Sequence, residues 1–211
     1  MFYFVKTPVW FRNFYRSCTW QMPVQENILY LTFDDGPHPT ITPFVLDELK
    51  KIGAKATFFS IGKNVHQYPE IYKRIMAEGH AVGNHTYRHL NGWKTADEEY
   101  FEDIRHAETV INSKLYRPPY GKIRRSQIVE IISPRFGMKV IMWTVLSGDF
   151  DEKLSKEQCL DNVINTSEPG AIIVFHDSEK AADRMTYALP KMLEHFKNKG
   201  YRFEKLPEKP I

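Results

Sequence analysis

The sequence predicts an α/β protein: a mostly parallel sheet with helices outside, wound as a seven-unit, imperfectly closed barrel. Three observations carry this. Short apolar runs alternate with amphipathic segments about seven times along the chain. Several runs, ILYLTF and AIIVF among them, are almost continuously apolar, as strands buried on both faces are. The length, 211 residues, is short for eight full βα units.

Strands are expected at residues 28–33, 56–61, 80–83, 114–117, 139–145, 171–175 and 201–203. Helices are expected at 42–51, 69–78, 96–113, 127–132, 156–166 and 184–197. The longer helical segments carry apolar residues three and four apart, such as Ile71, Ile75 and Met76 in the second. Gly53, Gly79 and Gly200 follow three of them as stop signals. No internal repeat, low-complexity tract or interdomain linker interrupts the series. The expected organisation is an N-terminal extension, 1–27, packing on a domain at 28–211.

Composition narrows the function classes. The chain is 42% hydrophobic and 26% charged, with a net charge of +3. Its basic residues are mixed with acidic ones and never form a block of five, so nucleic acid is not an expected partner. No stretch approaches the ~18 apolar residues of a membrane span. Cys18 and Cys159 are too few for a disulfide framework, and free thiols are expected. The N-terminus lacks the pattern of a signal peptide. A cytoplasmic location is therefore expected, with an envelope-associated or secreted one the alternative if a leader has been removed. The N-terminal residues are rich in aromatics and carry Lys6, Arg12 and Arg16. They either pack on the domain or offer a membrane-surface or partner contact. Composition leaves the oligomeric state open.

Four constellations carry chemistry, each at an expected strand end, where parallel α/β folds build their sites. Asp34 and Asp35 stand side by side before Gly36-Pro37, so one carboxylate can bind a metal while the other handles protons. His85 and His89 are spaced i, i+4 and share a face if the stretch turns helically. One carboxylate with two imidazoles suits Zn2+, or Co2+, Ni2+ or Fe2+, and leaves positions open for water and substrate. Arg117 precedes Pro118-Pro119-Tyr120-Gly121, where the prolines stiffen a turn and the guanidinium can hold a carboxylate bidentately. His176 emerges from the end of an apolar strand, placed for acid–base work. Trp143 and Asp149-Phe150 lie in and just after the preceding long run.

In this order the motifs resemble the polysaccharide deacetylases of the NodB-homology type, carbohydrate esterase family 4. TFDDGP, His85-Thr86-x-x-His89, Arg117-x-Pro-Tyr-Gly, the late His176 and Ala56-Thr57-Phe58-Phe59 with Ile61-Gly62 all occur in the family's order. The resemblance covers about residues 28–204. It implies a distorted (β/α)7 barrel with one divalent metal, zinc first with cobalt or nickel as alternatives, held by Asp35, His85 and His89. It implies Asp34 as catalytic base, oriented by Arg117, and His176 as general acid, partnered by Asp149. The backbone N–H of Tyr120 would face the oxyanion, and Pro119, Tyr120, Trp143, Phe150 and Val174 would line the substrate. There are departures. The family's D-x-x-D-W reads Ser147-Gly148-Asp149-Phe150 after Leu146, without the first acid and with Phe for Trp, and L-x-H reads Val174-Phe175-His176. Both swaps keep the acetyl pocket apolar but alter its shape.

The implied activity is removal of acetyl groups from a poly- or oligosaccharide carrying N-acetylhexosamine, through metal-activated water. O-deacetylation of a xylan-like glycan is the alternative within the same chemistry. A weakly active sugar-binding module is the alternative from another class, and the intact Asp34, Asp35, His85, His89 and His176 argue against it.

Overall fold

A computed structural model describes residues 3–207. In chain order its elements are α1 (Val9–Phe14), β1 (Ile28–Asp34), α2 (Ile41–Lys51), β2 (Ala56–Ser60), α3 (Gly62–Gln67), α4 (Pro69–Ala77) and β3 (Ala81–Asn84). Then come α5 (Asp97–Glu108), β4 (Leu115–Tyr116), a 3-10 turn (Pro119–Gly121), α6 (Arg125–Ile132), β5 (Lys139–Val140) and β6 (Val145–Leu146). The chain ends with α7 (Lys156–Ile164), β7 (Ile172–His176), α8 (Ala182–Asn198) and β8 (Arg202–Phe203).

The strands lie parallel in the order β5-β4-β3-β2-β1-β7-β6, with β8 beside the start of β1. This is the expected distorted (β/α)7 barrel. Every residue of β1 and β2 is buried, which is why those runs read as continuously apolar. Alternation still decides direction. Leu29, Leu31 and Phe33 join the core under the helices, with Val45, Leu46 and Leu49 of α2 and Leu189 and Leu193 of α8. Ile28 and Tyr30 instead join Phe59, Leu115 and Ile172 in the barrel interior. The same two-residue period turns Thr32 and Asp34 inward. Phe33 pairs in register with Phe58 on one side and Phe175 on the other, and the three rings stack in a row, 5.1 and 6.2 Å apart.

The run 139–145 is not one strand. Its first residues form β5 on one edge of the sheet, and its last residue begins β6 on the other. The Ile141 N–H donates to Tyr116 O (2.8 Å) and the Thr144 N–H to Ile172 O (3.1 Å), so the chain crosses the seam in three residues. A continuous apolar run carries no mark of such a change of partner. The N-terminal residues lie along the same seam. The Thr19 N–H bonds Val140 O and the Met142 N–H bonds Thr19 O; the Thr7 N–H bonds Thr144 O and the Leu146 N–H bonds Val5 O, each at 2.8 Å. They occupy edge groups that a half-closed barrel would leave bare.

Helices α1 and α3 were not expected, because six residues show too little periodicity. The helix expected at 96–113 stops at Glu108, before the β-branched Thr109-Val110-Ile111. Cys18 and Cys159 are free and buried, in separate clusters.

Candidate active site

Register brings the first two chemical groups together. Asp34 and His176 are the last residues of β1 and β7 and pair as direct neighbours in the parallel ladder. Arg117, just past β4, reaches across the barrel. Its Nη1 donates to Asp34 Oδ1 and to Thr32 Oγ1, both at 2.7 Å. Nε and Nη2 donate to the carbonyls of Ile141 (3.2 Å) and Met142 (3.1 Å), and the guanidinium lies 4.1 Å from the Phe59 ring centre. A fully buried cation thus has partners on all sides, and breaking such a set is costly. The bidentate clasp anticipated for Arg117 is not formed: one nitrogen holds one carboxylate oxygen, because its other donors serve backbone carbonyls.

His176 has its own carboxylate. Nδ1 lies 2.7 Å from Asp149 Oδ1, and the His176 N–H donates to Asp149 Oδ2, also at 2.7 Å. Burial works against a charge on the ring, but the charge and hydrogen bond of Asp149 outweigh it and raise the His176 pKa to about 10. Phe150 packs edge-on to the His176 ring at 5.4 Å, with Tyr3 behind it at 5.2 Å. Val174, two residues earlier on the same inward face, is buried.

The i, i+4 histidines meet without a helix. Residues 85–89 form a loop in which Thr86 (φ 63°) and His89 (φ 61°) are left-handed. Asp35 (φ 82°) and Tyr120 (φ 60°) complete the set of positive-φ non-glycine residues among those described, so all four sit in this site. Each costs of order 1–3 kcal/mol and persists only where the surroundings enforce it. Here they do. Asn84 Oδ1 accepts the Thr86 N–H (2.8 Å), and Asp103 Oδ2 accepts both the Tyr87 and Arg88 N–H groups at 2.9 Å.

The result is a compact donor set. Asp35 Oδ1 lies 3.2 Å from His89 Nε2 and 3.7 Å from His85 Nε2, and the three ligand atoms fall within 4.8 Å of one another. His85 Nδ1 is 2.8 Å from Arg117 O, an acceptor, so that nitrogen carries the proton and Nε2 presents its lone pair to Asp35. Burial pushes the His85 pKa down to about 4, keeping the ring neutral as a ligand must be. Burial opposes the charge of Asp35, yet the hydrogen bond from His89 and the neighbouring His176 hold its carboxyl well below the usual range. Two imidazole nitrogens and a carboxylate oxygen, with one tautomer already set, fit a divalent first-row ion.

Around this centre, Tyr120 Oη lies 3.1 Å from His89 Nδ1. Pro119 is buried beneath the turn, and Trp143 lies against Gly121, where a Cβ would come within 2.6 Å of its ring. Two supporting acids had no role in the sequence reading. Asp177 accepts the Gly36 N–H (2.9 Å) and the Thr42 hydroxyl (2.5 Å), pinning the turn that carries Asp35. Asp103 pins the histidine loop. Its signal was available: an acid on the buried stripe of α5, with Tyr100, Ile104 and Ala107.

The family model described as polysaccharide deacetylase matches residues 21–140. A peptidoglycan-N-acetylglucosamine deacetylase of Bacillus cereus is 38% identical over 192 residues, covering 88% of this chain and 69% of that protein. A chitooligosaccharide deacetylase of Azorhizobium caulinodans is 35% identical over 159 residues, covering 72% and 74%. A crystal structure of a peptidoglycan N-acetylglucosamine deacetylase in complex with 4-naphthalen-1-yl-N-oxidanyl-benzamide superposes with a TM-score of 0.86 at 35% identity, covering 95% of each chain. The chain belongs to the polysaccharide deacetylase family, carbohydrate esterase family 4, and is a deacetylase-type hydrolase.

Proposed function

We propose that the protein hydrolyses the N-acetyl group of N-acetylhexosamine units in a poly- or oligosaccharide. The observation that carries the proposal is the pairing of Asp34, held by Arg117, with His176, held by Asp149, at adjoining strand ends beside Asp35, His85 and His89. The relatives' printed activities, on peptidoglycan N-acetylglucosamine and on chitooligosaccharide, support the substrate class.

Asp35, His85 and His89 would hold one divalent ion, zinc first, with cobalt or nickel as alternatives. When bound, such an ion supplies a Lewis acid that polarises the acetyl carbonyl and lowers the pKa of water. Asp34 takes the proton of the attacking water, and Arg117 fixes the carboxylate's direction. The turn at Tyr120 presents its N–H to the developing oxyanion; losing one such donor typically costs about 100- to 1,000-fold. His176 gives the departing nitrogen its proton. Phe150 and Val174 wall the acetyl methyl, and Pro119, Tyr120 and Trp143 frame the sugar.

A protonated His176 equips the site to cleave an amide as well as an ester. An amine leaves only when protonated, whereas an alkoxide-type leaving group depends less on the acid. The test is acetate release from chitooligosaccharides and from acetylated xylan, with Zn2+, Co2+ or Ni2+ added back. Faster release from the chitooligosaccharide is expected. Release from xylan alone would make the protein an O-acetyl esterase, and bound sugar without acetate would make it a binding module.

A further inference from the structure

Helix α1 has two unlike sides. Phe11 and Tyr15 turn inward against Trp20, while Val9, Trp10 and Phe14 are 61%, 58% and 62% exposed. The Trp10 ring stands edge-on to Phe14 at 6.2 Å and to Phe4 at 6.4 Å, so the exposed side is an ordered aromatic ridge. Helix α6 adds to it. Arg125, Val129 and Ile132 are spaced i, i+4, i+7, hence on one side, and Val129 is 71% exposed. Arg125 Nη2 donates to the Phe14 carbonyl (3.2 Å), and its guanidinium lies over the Tyr15 ring. Nine large hydrophobic residues are exposed among those described, and six of them lie on α1, α6 or the adjoining Phe4. Such concentration marks a contact surface, whereas scattered apolar residues do not.

Basic residues outnumber acidic ones around this ridge. Residues 3–25 contain Lys6, Arg12 and Arg16 and no acid. Lys6 is paired with Glu168 (2.9 Å), and Arg12 Nη1 donates to Gln21. Arg16 and Arg125 stay exposed, while Glu130 of α6 is taken up by Arg135 (2.7 Å). Tryptophan and phenylalanine with an arginine fringe suit the headgroup layer of a bilayer, where rings enter the interface and cations meet anionic lipid. A second copy of the chain suits it less, because two such faces would bring like-charged arginines together.

We propose that the face formed by α1 and α6 docks on an anionic lipid bilayer. Its inner side borders the active-site rim: Phe11, Tyr15 and Trp20 line a small cavity together with Trp93 and Gly121, the residue after Tyr120. A docked molecule would therefore hold its catalytic loops beside the lipid surface.

The test is co-sedimentation of the full chain with vesicles of phosphatidylcholine alone and of phosphatidylcholine mixed with phosphatidylglycerol. Binding to the mixed vesicles, reduced by salt, is expected. Trp10→Ser with Phe14→Ser should weaken it about tenfold or more, since each ring buries a large apolar area. Arg16→Glu should weaken it without removing a ring. Acetate release from a soluble chitooligosaccharide should be unchanged in these variants, which separates lost docking from a lost fold or a wrong substrate. Binding equal on neutral vesicles, or untouched by the double substitution, overturns the proposal. So does a dimer in sedimentation velocity that the double substitution dissolves while no vesicle binding is seen.

Discussion

Replacing Asp149 by Asn tests the acid half of the site with almost no change in shape. In the wild type the Asp149 carboxylate accepts both the ring Nδ1–H and the backbone N–H of His176. The imidazolium is thereby favoured until about pH 10, against an ordinary histidine value of 6.5. An Asn side chain can satisfy only one of these contacts. With its oxygen toward the ring, its NH2 faces another N–H; flipped, it forces the ring into the wrong tautomer. The charge is lost in either case, and burial then drives the pKa of His176 down. Asp35 also favours the imidazolium, and a bound cation offsets its share, so the wild-type alkaline limb should sit somewhat below 10. The expected displacement is about two to three pH units, or about 3–4 kcal/mol of lost imidazolium stabilisation. The assay is the pH dependence of kcat/KM for acetate release from a chitooligosaccharide, which reports macroscopic values. At pH 8.5 the variant should be slower by about 10- to 100-fold, narrowing toward pH 6, with the acid limb nearly in place. An aryl acetate, whose leaving group needs no proton, should lose far less, both here and in His176→Ala. An alkaline limb unmoved by Asp149→Asn, or equal losses on amide and aryl ester, would refute His176 as the acid. The same pair contributes folding stability, with the sign of a raised histidine. That stability is fully present below about pH 6.5 and is lost as pH climbs through about 10.

Further outcomes follow from the remaining geometry. His85→Ala should abolish stoichiometric metal by elemental analysis; full occupancy in that variant would exclude the assigned ligand. Asp34→Asn should keep the metal and lose acetate release, since an amide cannot accept the proton; a comparable loss of metal would make Asp34 a ligand instead. Asp177→Ala should leave the Gly36 N–H and the Thr42 hydroxyl without their acceptor. That costs about 1–3 kcal/mol per group and should lower Tm by at least about 4 °C in differential scanning fluorimetry, with weakened metal binding. The buried Val174 and the Phe150 ring should confine the pocket to acetyl, so propionyl and butyryl substrates should turn over more slowly; equal rates would place the acyl group elsewhere.

Much of the molecule was legible in one dimension because its chemistry is packed into short segments. Asp34-Asp35, His85 with His89, and His176 each close a buried strand, and apolar runs followed by polar turns mark those ends. Other parts depended on distant partners. The histidine pair reads as one side of a helix, but two left-handed residues and Asp103 shape it as a loop. Nothing around Asp177 distinguishes a surface acid from one whose two oxygens pin a turn about 140 residues earlier in the chain.

The sequence by itself determined the alternation of strand and helix, the placing of Asp34 and Asp35 at a strand end, and the residue types able to hold a metal and move protons. These are local properties: periodicity, charge and ligand chemistry need only a few neighbouring residues. The tertiary structure alone decided which groups meet. It set Asp34 beside His176 by register, gave Arg117 one contact to the carboxylate and spent its other donors on the barrel wall, and split 139–145 between two sheet edges with the N-terminal residues along the seam. Those outcomes depend on the curvature and closure of the whole sheet, which fix the distances between strand ends and which no segment encodes alone.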